Sequence, residues 1–425
     1  MKKLILIAIP FIALNATTQN VGIGTTTPAY KLDVNGNLNI NGDSSIYVSG
    51  TRVFSVKGRN NLFLGLFSGS INSIGSFNTA IGDSSLYSST TSNYNTAIGF
   101  EALYNDSVAG NNCALGFKSL YLNKTGNWNN AIGNFSLYSN TSGYSNNSLG
   151  SLSLRSNTTG YYNTAIGDVA MYSNTTGNGN TAVGEMALYT NTTGYWNVAV
   201  GTNSLTFNTT GTWNVAVGGG GLNANTTGNG NTAIGNQALA SNATGIDNTS
   251  LGLSSGYSIT TGSNNTSIGF NAQVPSATSN KQIRLGDANI TYAGIQVAWS
   301  ITSDRRWKSD IQKCNLGIDF ISKLSPVSYY RNPARTESGE NDESKKREFG
   351  FIAQELEQVL NSSGASDNGI ISKDDNGMYG VRYNDLIAPM VKAIQELNKQ
   401  NQDQQKLIEQ LVKEVDVLKS KQIGQ

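Results

Sequence analysis

From Asn61 onward apolar and polar positions recur with a strict period of 17 residues. A well-formed unit reads Asn163-Thr-Ala-Ile-Gly167, Asp168-Val169, Ala170-Met171-Tyr172, Ser173-Asn174-Thr175-Thr176-Gly177. The glycine at the fifth position falls at Gly65, Gly82, Gly99 and so on through fourteen units to Gly286, with no residue inserted or lost. A globular core tolerates insertions in its loops, whereas stacked coils place each residue over its counterpart, so an exact period predicts a solenoid. Seventeen residues leave no room for two helices. Two short apolar stretches, Ala165-Ile166 and Ala170-Met171, separated by turn residues, predict two short strands per coil in a parallel β-roll. At about 4.8 Å per coil the stack would be a rod roughly 65 Å long.

Three other patterns flank the repeat. Residues 4–14 are almost wholly apolar behind Met1-Lys2-Lys3, and the chain turns polar at Asn15. A basic start, an apolar run too short to span a membrane and the small residue Ala16 predict a secretory signal over residues 1–19 and a secreted or cell-surface protein. Residues 20–60 alternate around Asn35-Gly36 and Asn41-Gly42, which predicts short strands leading into the roll. Near the C-terminus Ile387, Met390, Ile394, Leu397, Asn401, Gln404, Ile408, Leu411, Val415 and Leu418 alternate in steps of three and four, a heptad seam with a polar layer at Asn401 and Gln404.

Charge divides the chain. Residues 61–290 hold five Lys or Arg and seven Asp or Glu, whereas residues 303–425 hold 18 and 19. The rod has no basic stripe to displace phosphate counterions, which excludes nucleic acid as a partner. Periodic Asp for calcium is missing and the chain has no histidine, so neither a metal site nor a cofactor is expected. Cys113 and Cys314 lie in different segments and predict no disulfide. The predicted organisation is a signal peptide (1–19), an N-terminal β segment (20–60), the repeat rod (61–290), a connector (291–302), a small α+β domain (303–385) and a coiled coil (386–422).

The unit resembles the head repeats of trimeric autotransporter adhesins, left-handed β-rolls in which three chains pack side by side and whose repeat is shorter. That resemblance implies a mainly β fibre, a homotrimer whose partner is itself, and adhesion to a surface glycan. Tyr161, Tyr195, Trp196 and Trp213 are the rings that could stack on sugars.

The charged segment opens with Ser303-Asp304-Arg305-Arg306-Trp307-Lys308. It continues through Leu324-Ser-Pro326, Glu348-Phe-Gly-Phe-Ile-Ala-Gln-Glu355 and Tyr383-Asn-Asp-Leu-Ile-Ala-Pro389. In that order these segments resemble the peptidase S74 domain, the self-cleaving intramolecular chaperone at the C-terminus of phage tailspikes and fibres. Trp307 stands where that family more often has a leucine. The resemblance implies assembly of the upstream fibre as a trimer, then a single autoproteolytic cut at the Thr302-Ser303 bond. Ser303 would be nucleophile and Lys308 its base, with Asp304 and Arg306 in support. A serine needs a proton acceptor, and without histidine a lysine can serve once burial or a nearby cation keeps it neutral. Read alone, the hexapeptide is a helix start with Ser303 as N-cap. Five residues on one helix point about 140° apart, so either Ser303 precedes the helix in an extended segment or Lys308 comes from another subunit. Two alternatives to a secreted fibre are a phage-type tail fibre and a non-catalytic ice-binding solenoid. The latter wants outward threonines at alternate strand positions.

Overall fold

The structure is a computed structural model that describes residues 21–37, 44–72, 75–330 and 347–423. The signal-peptide reading, the Asn41-Gly42 turn and nearly all of the charged run after Glu337 lie outside the described residues.

Strands β1 (Val21–Ile23) and β2 (Leu32–Val34) pair in parallel, and β3 (Ser45–Val48) and β4 (Thr51–Ser55) form an antiparallel hairpin. That hairpin covers the first edge of the solenoid, because β4 pairs antiparallel with β5 (Leu62–Leu64). From β5 a three-residue strand recurs every 17 residues as far as β18 (Ile283–Leu285), each parallel to the next. The register is that of the sequence period: Thr164 faces Thr181, Ala165 faces Ala182 and Ile166 faces Val183. The product is a single 16-stranded sheet and a β-solenoid of about 13 turns.

Each coil supplies one strand, not two. The second apolar stretch is a turn in which Val169 and Met171 adopt φ of 49° and 51°, and its counterparts repeat that geometry from coil to coil. Left-handed backbone breaks a strand, and the ninth position of the unit is accordingly Leu or Met in the regular coils, never Ile or Val. The core is thin: Ala165, Ala170 and Met171 are fully buried in this coil, and Ser148, Ser153 and Leu154 before it and Ala182, Ala187 and Leu188 after it fill the same places.

Buried asparagines hold the coils in register. At the first position of the unit, Asn180 N–H donates to Asn163 Oδ1 at 3.0 Å and Asn180 Nδ2 donates to Gly194 O at 2.9 Å. A second ladder runs from Asn123 to Asn242, with Asn174 Nδ2 donating to Asn157 Oδ1 at 2.8 Å. Polar groups that could not be left unpaired inside a thin core are thereby satisfied by the equivalent residue one coil away. The fifth-position glycines make close stacking possible: a Cβ on Gly167 would stand 2.5 Å from Gly184 O.

Behind the solenoid come α1 (Ile318–Ile321), the antiparallel pair β19 (Val327–Tyr329) and β20 (Glu348–Gly350), α2 (Ala353–Ser362), the hairpin β21 (Ile371–Lys373) and β22 (Tyr379–Val381), and the 37-residue α3 (Ile387–Ile423). Leu316, Phe320, Leu356, Leu360, Ile370 and Leu386 form their core. On α2, Leu356 and Leu360 are buried and Val359 packs beside them. Ile352 is exposed, because it is the extended residue that caps the helix.

Three hydrogen bonds, one to Glu396 and two made by Asp375, fix how these elements meet. Glu396 Oε2, on α3, accepts from Ile318 N–H at 2.8 Å, so the long helix caps the short one. The same N–H, with Lys392 beside it, holds the Glu396 carboxyl below the usual carboxylate range. Asp375, in the β21–β22 turn, clasps the last coil from both directions: its N–H donates to Pro275 O at 2.9 Å and its Oδ2 accepts from Ala277 N–H at 2.8 Å.

Candidate functional site

Between the solenoid and α1 the chain from residue 288 to 315 is exposed throughout, and its one regular element is a single 3₁₀ turn at Arg305–Trp307. Asp304 caps that turn, accepting from Arg306 N–H at 2.8 Å. Ser303 is therefore not the N-cap; it lies one residue earlier, outside any helix or strand and next to the extended Asp304. Lys308, with φ −116° and ψ 133°, resumes extended chain at the other end.

This arrangement resolves the problem of five-residue spacing. A 3₁₀ turn is tighter than an α-turn, so the residues flanking a single turn can approach each other where two on a continuous α-helix diverge. Lys308 Nζ donates to Ser303 Oγ at 2.7 Å within one chain. Asp304 and Arg306 pair with each other: Arg306 Nε lies 3.0 Å from Oδ1 and Nη2 lies 2.8 Å from Oδ2. The guanidinium and the Arg306 N–H hold the Asp304 carboxyl below its ordinary range. Their pairing locks the turn that brings Ser303 and Lys308 together, and leaves neither side chain on the Ser303 hydroxyl. Thr302 immediately precedes Ser303 and is exposed, as are Ser303 and Lys308 themselves.

A neutral lysine calls for a site withdrawn from water. The single chain does not provide one here, but the residues next to the pair are those that would build it. Ile295, Val297, Trp299 and Ile301 alternate along the connector and are all exposed, a strand pattern without a strand partner among the described residues. Ile301 also lines a shallow pocket with Arg382, Tyr383, Asn384 and Asp385.

Other apolar surface lies equally uncovered. On α3 the side of Pro389 and Ala393 is buried, while the seam residues Ile387, Met390, Ile394, Leu397, Ile408, Leu411, Val415 and Leu418 are all exposed. On the solenoid, the fourth position of the unit is Ile, Leu or Val in every coil and points outward, as at Ile132, Ile166 and Ile234. Among the described residues no cluster of His, Cys, Asp or Glu could hold a metal, and no helix is long and apolar enough to cross a membrane.

No curated protein and no solved structure matches the chain. Residues 303–365, beginning at Ser303 itself, match the Peptidase_S74 family, chaperone of endosialidase, and that domain behind a β-solenoid fits a tail-fibre or tailspike-like protein with an intramolecular chaperone.

Proposed function

We propose that the chain is a secreted or cell-surface, adhesin-like fibre that assembles as a homotrimer through its C-terminal module and then cuts itself once between Thr302 and Ser303. The observation that carries this reading is the contact of Lys308 Nζ with Ser303 Oγ, 2.7 Å apart at the first residue of the family match. Lys308 takes the hydroxyl proton as Oγ attacks the Thr302 carbonyl carbon. The tetrahedral adduct expels the Ser303 amine, which recovers the proton, and leaves Thr302 as an ester on Oγ. Water hydrolyses that ester, giving a Thr302 carboxylate and a free Ser303 hydroxyl.

Assembly supplies what the lone chain lacks. The connector alternation, the α3 seam and the outward aliphatic column are three apolar surfaces with the periodicities of self-pairing elements. Packing of the connector between copies would withdraw Ser303 and Lys308 from water, so cleavage would follow assembly. Ile and Val at alternate seam positions with Leu between favour two strands in isolated coils, whereas the family resemblance implies three; the preceding domain decides. Distant parallel pairing is slow to nucleate, and a C-terminal coil that associates first supplies the nucleus. Removing it afterwards leaves a fibre that unfolds only across a large barrier. The ice-binding alternative loses ground because the outward strand positions form no threonine array: where a strand begins with Thr, as at Thr164, the next outward residue is aliphatic, as Ile166 is, and other strands begin with Cys113, Asn130 or Val198.

Electrophoresis of purified full-length protein, boiled and unboiled, tests both parts. The expected result is two fragments from the wild type, one intact band from Ser303→Ala, and a slow-migrating unboiled oligomer in both. A Ser303→Ala chain that still splits at that bond would remove Ser303 from the reaction.

A further inference from the structure

At the corner that precedes each strand, Tyr94, Trp128, Tyr162 and Trp196 recur every 34 residues, on every second coil, and Phe77 and Trp213 hold the same corner on the coils just outside this run. All four have left-handed backbone, with φ of 58°, 57°, 56° and 55°, so each ring leaves its coil with the same geometry. They are also equally open to solvent, at 59%, 60%, 56% and 57%. The coils between carry small residues at that place, Asn111, Ser145 and Gly179. The spacers make room: a Cβ on Gly179 would stand 2.7 Å from the Trp196 ring, which occupies the space over its neighbour's corner.

Packing within the rod covers one face of Tyr94, which stacks on Phe77 at 5.0 Å, yet it leaves all four rings more than half exposed. Tyr144 and Tyr161 stack on each other at 4.9 Å and touch Tyr162 only edge-on, leaving that ring exposed. The two corner positions carry no charge in any coil from Asn93 to Trp196. An uncharged row of evenly spaced rings suits an uncharged, extended ligand. Two coils of a parallel ladder advance about 9.6 Å, close to the disaccharide repeat of a β-1,4-linked hexose chain, in which every second sugar presents the same face. Aromatic faces bury the C–H face of a sugar while its hydroxyls stay in water.

We propose that Tyr94, Trp128, Tyr162 and Trp196 form a track for an extended, uncharged β-1,4-linked polysaccharide, one ring under every second sugar. The four rings span about 29 Å, the length of some six sugars. The track deepens the adhesive part of the proposed function and requires only the solenoid, so uncleaved Ser303→Ala protein serves for the test.

Binding of that protein to cellohexaose and chitohexaose is measured by calorimetry, with maltohexaose and a polygalacturonate oligomer as comparisons. At least one β-1,4 oligomer binds and both comparisons do not; Trp128→Ala weakens binding about tenfold, and Trp128→Ala with Trp196→Ala abolishes it. Moving one ring out of step, Trp128→Ser with Ser145→Trp, keeps the number of rings and loses the affinity as well. Light scattering and circular dichroism of each variant stay unchanged. Equal binding of maltohexaose, undiminished binding by the out-of-step variant, or no binding to either β-1,4 oligomer would overturn the track. A changed oligomeric state in Trp128→Ala would assign the column to contacts between copies instead. None of these outcomes bears on cleavage, which the Ser303→Ala gel decides separately.

Discussion

Lys308 Nζ donates to Ser303 Oγ at 2.7 Å across a single 3₁₀ turn of the same chain. The contact is thus made in cis, and in the proposed reaction a neighbouring copy would need to supply only its surroundings. Mixing discriminates this from a pair shared between subunits. When Ser303→Ala and Lys308→Met chains are co-expressed with different tags, neither should be cut, because no chain holds both groups. Appearance of the Lys308→Met fragment in mixed oligomers would show that a lysine reaches across from a neighbour.

Asp304 and Arg306 were expected in support of Ser303 and Lys308, and their three hydrogen bonds to each other close the turn between that pair. The distinction was not legible from SDRRWK as letters, since a cap at Ser303 and a cap at Asp304 have the same composition. Much of the rod was legible: the glycine row and the invariant period specify both the register and the close approach of the coils. The error of two strands per coil came from counting apolar pairs without asking which backbone they can adopt. Ile166 and its counterparts are β-branched or Leu, whereas Met171 and its counterparts are unbranched at Cβ, and that contrast marks the left-handed turn. The asparagine ladders stayed hidden because Asn in a repeat reads first as a turn former.

Asp106 holds the ladder position one coil before Asn123, where the second asparagine ladder begins, and gives the rod a pH dependence. It is fully buried, its Oδ1 accepts from Ala109 N–H and its Oδ2 from Asn95 Nδ2, each at 3.0 Å. Burial pushes its carboxyl up to about 8 from an ordinary value of 3.8, against the Ala109 hydrogen bond. A raised acid stabilises the fold while protonated. Its contribution is therefore lost as pH rises from about 4, where the unfolded chain ionises, to about 8, where the folded one does. The full difference is about 6 kcal/mol. Asp106→Asn should reproduce the arrangement at Asn123, whose Nδ2 donates to Gly126 O. Urea unfolding of that variant should show higher resistance than wild type at pH 8, a gap that closes toward pH 4. Parallel curves at all pH values would refute the assignment.

Gly167 tests whether close stacking or chain flexibility explains the glycine row. With φ of 137° and a Cβ that would press on Gly184 O at 2.5 Å, Gly167→Ala must push two coils apart. A local loss of roughly 2 kcal/mol or more is expected from such strain. Hydrogen exchange should then accelerate in coils 150–200 while the coils near Gly65 keep their protection, since each coil contacts only its neighbours. The half-buried Thr164→Ser, on the same strand, should leave exchange unchanged. If Gly167→Ala exchanges like the wild type, the glycines serve the turn and not the stack.

The α3 seam carries the assembly prediction. Leu397 and Leu411 are exposed on the single chain, two heptads apart, while Pro389 and Ala393 on another side are already buried. A charge at each seam position would have to be buried unpaired in a coiled coil but stays in water on a lone helix. Leu397→Glu with Leu411→Glu should therefore reduce the species seen by light scattering to a monomer without unfolding the module, whose core of Leu316, Phe320, Leu356 and Leu360 is untouched. Glu409→Gln, on the same helix outside the seam, should not change the mass. Because cleavage is placed after assembly, the double variant should also remain uncut, although Ser303 and Lys308 are intact. A monomer that still cleaves would separate the two events and leave the seam with a purely structural role.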